Sequence, residues 1–173
     1  MKLISRNLPL TTPQKEEFFR DHGHLSYRYT MLLAHKERVD KKKPMEYALQ
    51  ICAFEAALIA CRMFMNFLGL GTSYSPKLIL IKRQDYFNRE GKTDEVKVVD
   101  LGGDFVDLNS LSEDEKDLLA KVYHMASKST AHFTYRSEPI SKPEYLGKGI
   151  ELIDRLLKKH LYDVVKRPIK KHS

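Results

Sequence analysis

The sequence predicts a mainly α-helical fold: a four- to five-helix bundle interrupted by one small β-hairpin or irregular insertion at about residues 72–108. Three observations lead there. Apolar residues recur at spacings of three, four and seven along most of the chain, and prolines, glycines and capping residues mark where those runs begin and end. Between 70 and 110 the period shortens to β-branched stretches. A chain of 173 residues fits one domain, 1–173, with a basic C-terminal tail at about 166–173.

Thr12 and Pro13 supply a cap and a first-turn proline for helix one, and Phe18, Leu25, Leu32 and Val39 then fall on one stripe. Gly23 lies inside this run and costs about 1 kcal/mol relative to alanine in a helix, so a break is expected near His22 to His24. Pro44 opens helix two, which ends at Leu68 before Gly69-Leu70-Gly71. Apolar almost all round, helix two is expected at the centre of the bundle. Lys77 to Lys82 and Glu95 to Leu101 read as the two arms of the hairpin. Ser112 and Glu115 form an S-x-x-E capping box for helix three, which carries Leu118, Val122, Met125, Ser129 and His132 on one face. After Pro139 and Pro143, helix four presents Leu146, Ile150, Ile153, Leu157, His160 or Leu161, and Val164 as a continuous stripe until Pro168.

With 42% apolar and 31% charged residues, the composition is that of a soluble globular protein. The most apolar stretch, Ala53 to Leu68, is interrupted by Glu55, Arg62 and Asn66, which argues against a membrane span. The N-terminus lacks a signal peptide's apolar core, so a cytoplasmic location is expected. Cys52 and Cys61, nine apart on one helix, face nearly opposite ways and cannot bridge; both are expected to be buried thiols. Of the net charge of +7, five come from Lys158 to Ser173, which holds six Lys/Arg and one Asp. The basic character is therefore concentrated in an end expected to be solvated, with a smaller run at Lys41-Lys42-Lys43.

Chemistry in a helical bundle requires polar side chains facing inward, where burial is costly without partners. At 100° per residue, Glu55, Arg62 and Asn66 share a narrow sector of helix two, and Arg28 and His35 lie beside the stripe of helix one. On helix three, Ser129 and His132 lie on the apolar face with Lys128 at its flank. One reading is structural: Glu55 pairs with Arg62 or Arg28 and the cluster sets helix register. The other is a cleft in which an arginine fork holds phosphate and a histidine moves a proton.

The ending Lys128-Ser-Thr-Ala-His132, in a small all-α chain whose second helix bears Glu55 and Arg62, resembles the HEPN superfamily. These four-helix-bundle proteins occur in defence, toxin–antitoxin and mobile-element systems and are often dimeric. Their active members are metal-independent ribonucleases with an Arg, four to six residues, then His. The resemblance implies His132 as the motif histidine and Glu55 as an acid that orients an arginine. The motif's arginine would fall at Met125, Ala126 or Ser127, none of them basic, so Arg62 or Arg136 would have to substitute. On this reading the chain binds RNA, or cleaves it as a degenerate metal-independent ribonuclease, with His132, Arg62 and Glu55 as catalytic candidates. Lys128, Arg136, Arg28 and His35 are the nucleic-acid contacts, and the protein is a homodimer. The alternative is a non-catalytic, antitoxin-like or assembly protein that binds another protein.

Other chemistries fit less well. Gly91-Lys92-Thr93 lacks the P-loop's first glycine, His22-Gly-His24 lacks a third ligand, and Asp100, Asp104 and Asp107 lack an EF-hand's closing glutamate. No metal or cofactor is expected.

Overall fold

The computed structural model describes residues 10–40, 46–74, 77–83, 95–129 and 143–170. Helix α1 spans Thr12–Phe19, and its cap is Thr11, whose backbone N–H donates to Gln14 Oε1 at 2.8 Å. The expected break is present. His22 has a φ of 60° and α2 begins afresh at His24, running to Asp40. At Gly23 a Cβ would lie 2.6 Å from the Glu17 carbonyl oxygen, so no larger residue fits this tight corner.

Helix α3, Tyr47–Phe67, departs from the expected central placement along half its length. Ala57, Leu58, Ala60, Cys61, Phe64 and Met65 are buried, but Tyr47, Leu49, Ile51 and Cys52 are exposed. At about 1.5 Å per residue the helix is about 31 Å long, and its first turns reach past the layer packed on them. Cys52 is therefore not the buried thiol expected, whereas burial pushes the Cys61 thiol well up. By length and composition alone α3 is apolar enough to cross a membrane; in this fold its second half forms core.

Gly69, at φ 82°, turns the chain out of α3 and directly into strand β1, Leu70–Tyr74. Its partner is β2, Leu78–Lys82, antiparallel, with Leu70 opposite Lys82 and Tyr74 opposite Leu78. The second arm expected at Glu95 to Leu101 is not a strand. Val98–Leu101 forms a 3-10 turn with Val98 and Leu101 in the core, closed by the Lys97 N–H donating to Asp100 Oδ2 at 2.7 Å. Apolar β-branched residues fit a strand and a buried turn equally well, and here the acceptor three residues on decides.

Helix α4, Glu113–Ser129, starts at the expected capping box: Ser112 N–H donates to Glu115 Oε2 at 2.9 Å, and Glu115 N–H to Ser112 Oγ at 3.2 Å. Helix α5, Pro143–Leu157, buries Leu146, Ile150, Ile153 and Leu157 as the stripe requires. A π-helical turn over Lys158–Tyr162 then precedes a last α turn, Asp163–Val165. The wider turn shifts the phase, so His160, Leu161 and Tyr162 are all buried while Val164, expected on the stripe, is exposed. Nor is the basic end simply solvated. Arg167 pairs with Glu16 and lies 4.7 Å over the Phe19 ring, and Lys170 Nζ is 3.1 Å from Asp21, fastening residues 167–170 onto α1.

Candidate nucleic-acid interface

The catalytic and binding candidates read from the sequence do not gather at one point. His132 and Arg136 lie outside the described residues, as do Lys41 to Lys43. Glu55 is exposed and makes no ion pair among the described residues, so the expected Glu55 pairing with Arg62 or Arg28 is absent. The reason is geometric. Glu55 and Arg62 are two turns apart, roughly 10 Å along the axis, and Glu55 belongs to the half of α3 that leaves the bundle. His35 packs edge-on against Phe54 with ring centroids 5.4 Å apart, and burial lowers its pKa. Arg28 turns toward Met63, its Nη1 2.9 Å from the sulfur.

Arg62 and Lys128, by contrast, both border α4. The Arg62 guanidinium lies 5.7 Å from the Tyr123 ring centroid, a cation–π distance, and the Tyr123 hydroxyl donates to Asn66 Oδ1 at 2.9 Å. The adjacent His124 stacks on Tyr74, with centroids 5.9 Å apart and planes 22° from parallel. Tyr74 ends β1 and is 71% exposed, leaving much of its surface free to solvent. Lys128, exposed, follows His124 by four residues and so lies on the same side of α4.

Beside this stack an open groove of about 730 Å³ runs along the hairpin, lined by Thr72, Ser73, Ile79, Lys82, Arg83 and Tyr123, among others. Among the described residues Lys82 has one loose partner, Asp107 at 3.7 Å, and both side chains are more than half exposed, so the pair is worth little. Cations and aromatic rings thus meet pairwise around α4: Arg62 faces Tyr123, Lys128 lies one turn from His124, and Lys82 lines the same groove as Tyr123. Sequence reasoning missed the aromatic residues Tyr74, Tyr123 and His124. Tyr123 and His124 sit on the flank of an otherwise clear apolar stripe, and Tyr74 became notable only once the hairpin folded it back onto α4.

His160, one of the two residues offered for its place on the helix-four stripe, is a buried polar side chain. Its Nε2 makes no hydrogen bond among the described residues, and burial, with Lys159 adding to it and Asp104 opposing, lowers its pKa. Its backbone carbonyl accepts from Asp104 N–H at 2.8 Å, which anchors the 102–104 loop to the π turn. Among the described residues no three His, Cys, Asp or Glu side chains cluster in a way that could hold a metal ion. No protein-family model, curated protein or solved structure matches the chain.

Proposed function

We propose that this protein binds single-stranded RNA on the α4 and hairpin surface, stacking a base on Tyr74 and holding flanking phosphates with Arg62, Lys82 and Lys128. One observation carries the reading: a largely exposed tyrosine backed by a stacked histidine, with Lys128 one turn along α4 from that histidine. Stacking on aromatic rings inside a basic groove is how single strands are held without base-edge readout. The resemblance of residues 128–132 to an RNA-cleaving superfamily supports RNA as the strand.

Fluorescence anisotropy with a labelled single-stranded RNA tests it. Tyr74→Ala is expected to weaken binding about 5- to 100-fold, the usual worth of one stacked base. Lys128→Ala should lower affinity and flatten the dependence of log K on log salt by about 0.7. Equal binding by the parent chain and Tyr74→Ala overturns the reading. Cleavage of that RNA, lost in His132→Ala, would add the nuclease branch to it.

The exposed start of α3 favours a second reading, self-association. Tyr47 is 76% exposed, with Ile51 one turn on from it and Leu49 exposed on the other side of the helix, and exposed apolar surface on this scale marks contact sites. Ala48, Cys52, Glu55, Ile59 and Arg62 follow each other at spacings of four and three, the repeat of a helix seam. An antiparallel copy laid on that seam brings Glu55 against Arg62 of the partner subunit, and the reverse, so the two charges that cannot meet within one chain are matched between two. Sedimentation should then show a dimer that Ile59→Asp converts to monomer; a parent chain that stays monomeric at high concentration excludes this seam.

A further inference from the structure

We propose that the half-open pocket between α1, α2, α3 and residues 95–96 binds a small monocarboxylate with an aromatic or branched apolar body, the carboxylate on Arg28. The cavity measures about 360 Å³, the size of a ligand with one ring and a short chain. Most of its wall is apolar: Phe18, Leu25, Phe64, Phe67 and Val96 line it, with Met63 beside Arg28 and His24 against Phe18 at the rim of the same lining.

The guanidinium is the feature the apolar walls do not explain. Its one hydrogen bond among the described residues is to the Met63 thioether, a weak acceptor that leaves the charge uncompensated. Desolvation lowers the Arg28 pKa, and among the described residues no carboxylate pairs with the guanidinium. A guanidinium's planar fork accepts a carboxylate through two parallel bonds, and a partly desolvated site strengthens them. The Asn66 amide nitrogen, on the same wall, makes no hydrogen bond among the described residues, since Tyr123 takes only Oδ1. It is a second donor available to the ligand. Glu95 stands on the lining as well and repels a second negative charge, which favours a carboxylate over a phosphate dianion.

This site shares no cation with the RNA surface, and its test is separate. Titrating the full-length protein with 3-phenylpropionate, followed by NMR shifts of its amides, should show saturable changes confined to residues around Arg28, Met63 and Phe67. The uncharged 3-phenylpropan-1-ol should bind about 10- to 100-fold more weakly, because it forfeits the charge-assisted bonds. Arg28→Gln should reduce the acid's affinity to that of the alcohol while leaving the alcohol's unchanged. Should that variant fail to fold, Val96→Phe, which narrows the cavity from its outer wall and keeps Arg28, should abolish binding of both. Equal affinity for acid and alcohol, binding undiminished in Arg28→Gln or Val96→Phe, or no saturable shift with the acid overturns the proposal.

Discussion

Gly103→Ala is expected to cost about 3 kcal/mol of folding stability, at the upper end of what an overpacked site usually loses, read as a lower urea midpoint by circular dichroism. A Cβ there would lie 2.4 Å from the His160 carbonyl oxygen, 2.7 Å from Val98 Cγ2 and 3.2 Å from Leu161 Cα. Two of these atoms are backbone and cannot swing aside. Both sides of the contact are also pinned: Gly103 N–H donates to the Val98 carbonyl at 3.0 Å, and Asp104 N–H to the His160 carbonyl at 2.8 Å. The π turn and the 102–104 loop would have to separate, and with them the cover over His160. Gly102 is the control. It has the left-handed φ of 93°, but a Cβ there meets only Val165 Cγ1 at 3.6 Å, so Gly102→Ala should cost roughly 1 kcal/mol of backbone strain and no more. A Gly103→Ala midpoint equal to that of the parent would show that the loop does not rest on the π turn.

What could be read from the residues divides along a physical line. Ends were legible because they are local: Ser112 and Glu115 close their own capping box, Gly69 takes the left-handed conformation, and His22-Gly23 separates α1 from α2. The helical stripes were legible because burial follows the period, as at Leu25, Leu32, Ile150 and Ile153. Pairing was not. Lys77 to Lys82 reads as a strand, but nothing local says that it pairs with the segment leaving α3 and not with residues 95–101. The π turn was equally hidden, since an inserted residue changes phase without changing composition. The candidate site fared worst because its aromatic members come from a hairpin and a helix flank, and only folding sets Tyr74 on His124. Arg28 and Arg62 stand out on their helices in the sequence, yet their neighbours are Met63 and Tyr123 and not the expected Glu55.

Neighbouring residues of α3 measure how far the core extends along it. Leu58→Ala is expected to cost about 2–5 kcal/mol, because Leu58 is 0% exposed and truncation leaves a cavity on top of the lost transfer energy. Ile59→Ala, one position away and 39% exposed, should cost under about 1 kcal/mol in dilute solution, since much of its side chain is already in water. Composition alone does not give this contrast: both residues are aliphatic, and the helix is apolar around them except on the sector that Ile59 shares with Glu55 and Arg62. Urea unfolding of the two variants checks it, and similar losses at both positions would mean that α3 is covered on a face this fold leaves open. Concentration adds a further distinction. If two copies pair along the α3 seam, Ile59 is buried only in the dimer, so the cost of Ile59→Ala should rise with protein concentration while that of Leu58→Ala keeps its intrachain part at every dilution. Helix α3 would then divide its roles by face, with Leu58, Cys61 and Met65 holding the bundle together and the Glu55, Ile59 and Arg62 seam joining it to another chain.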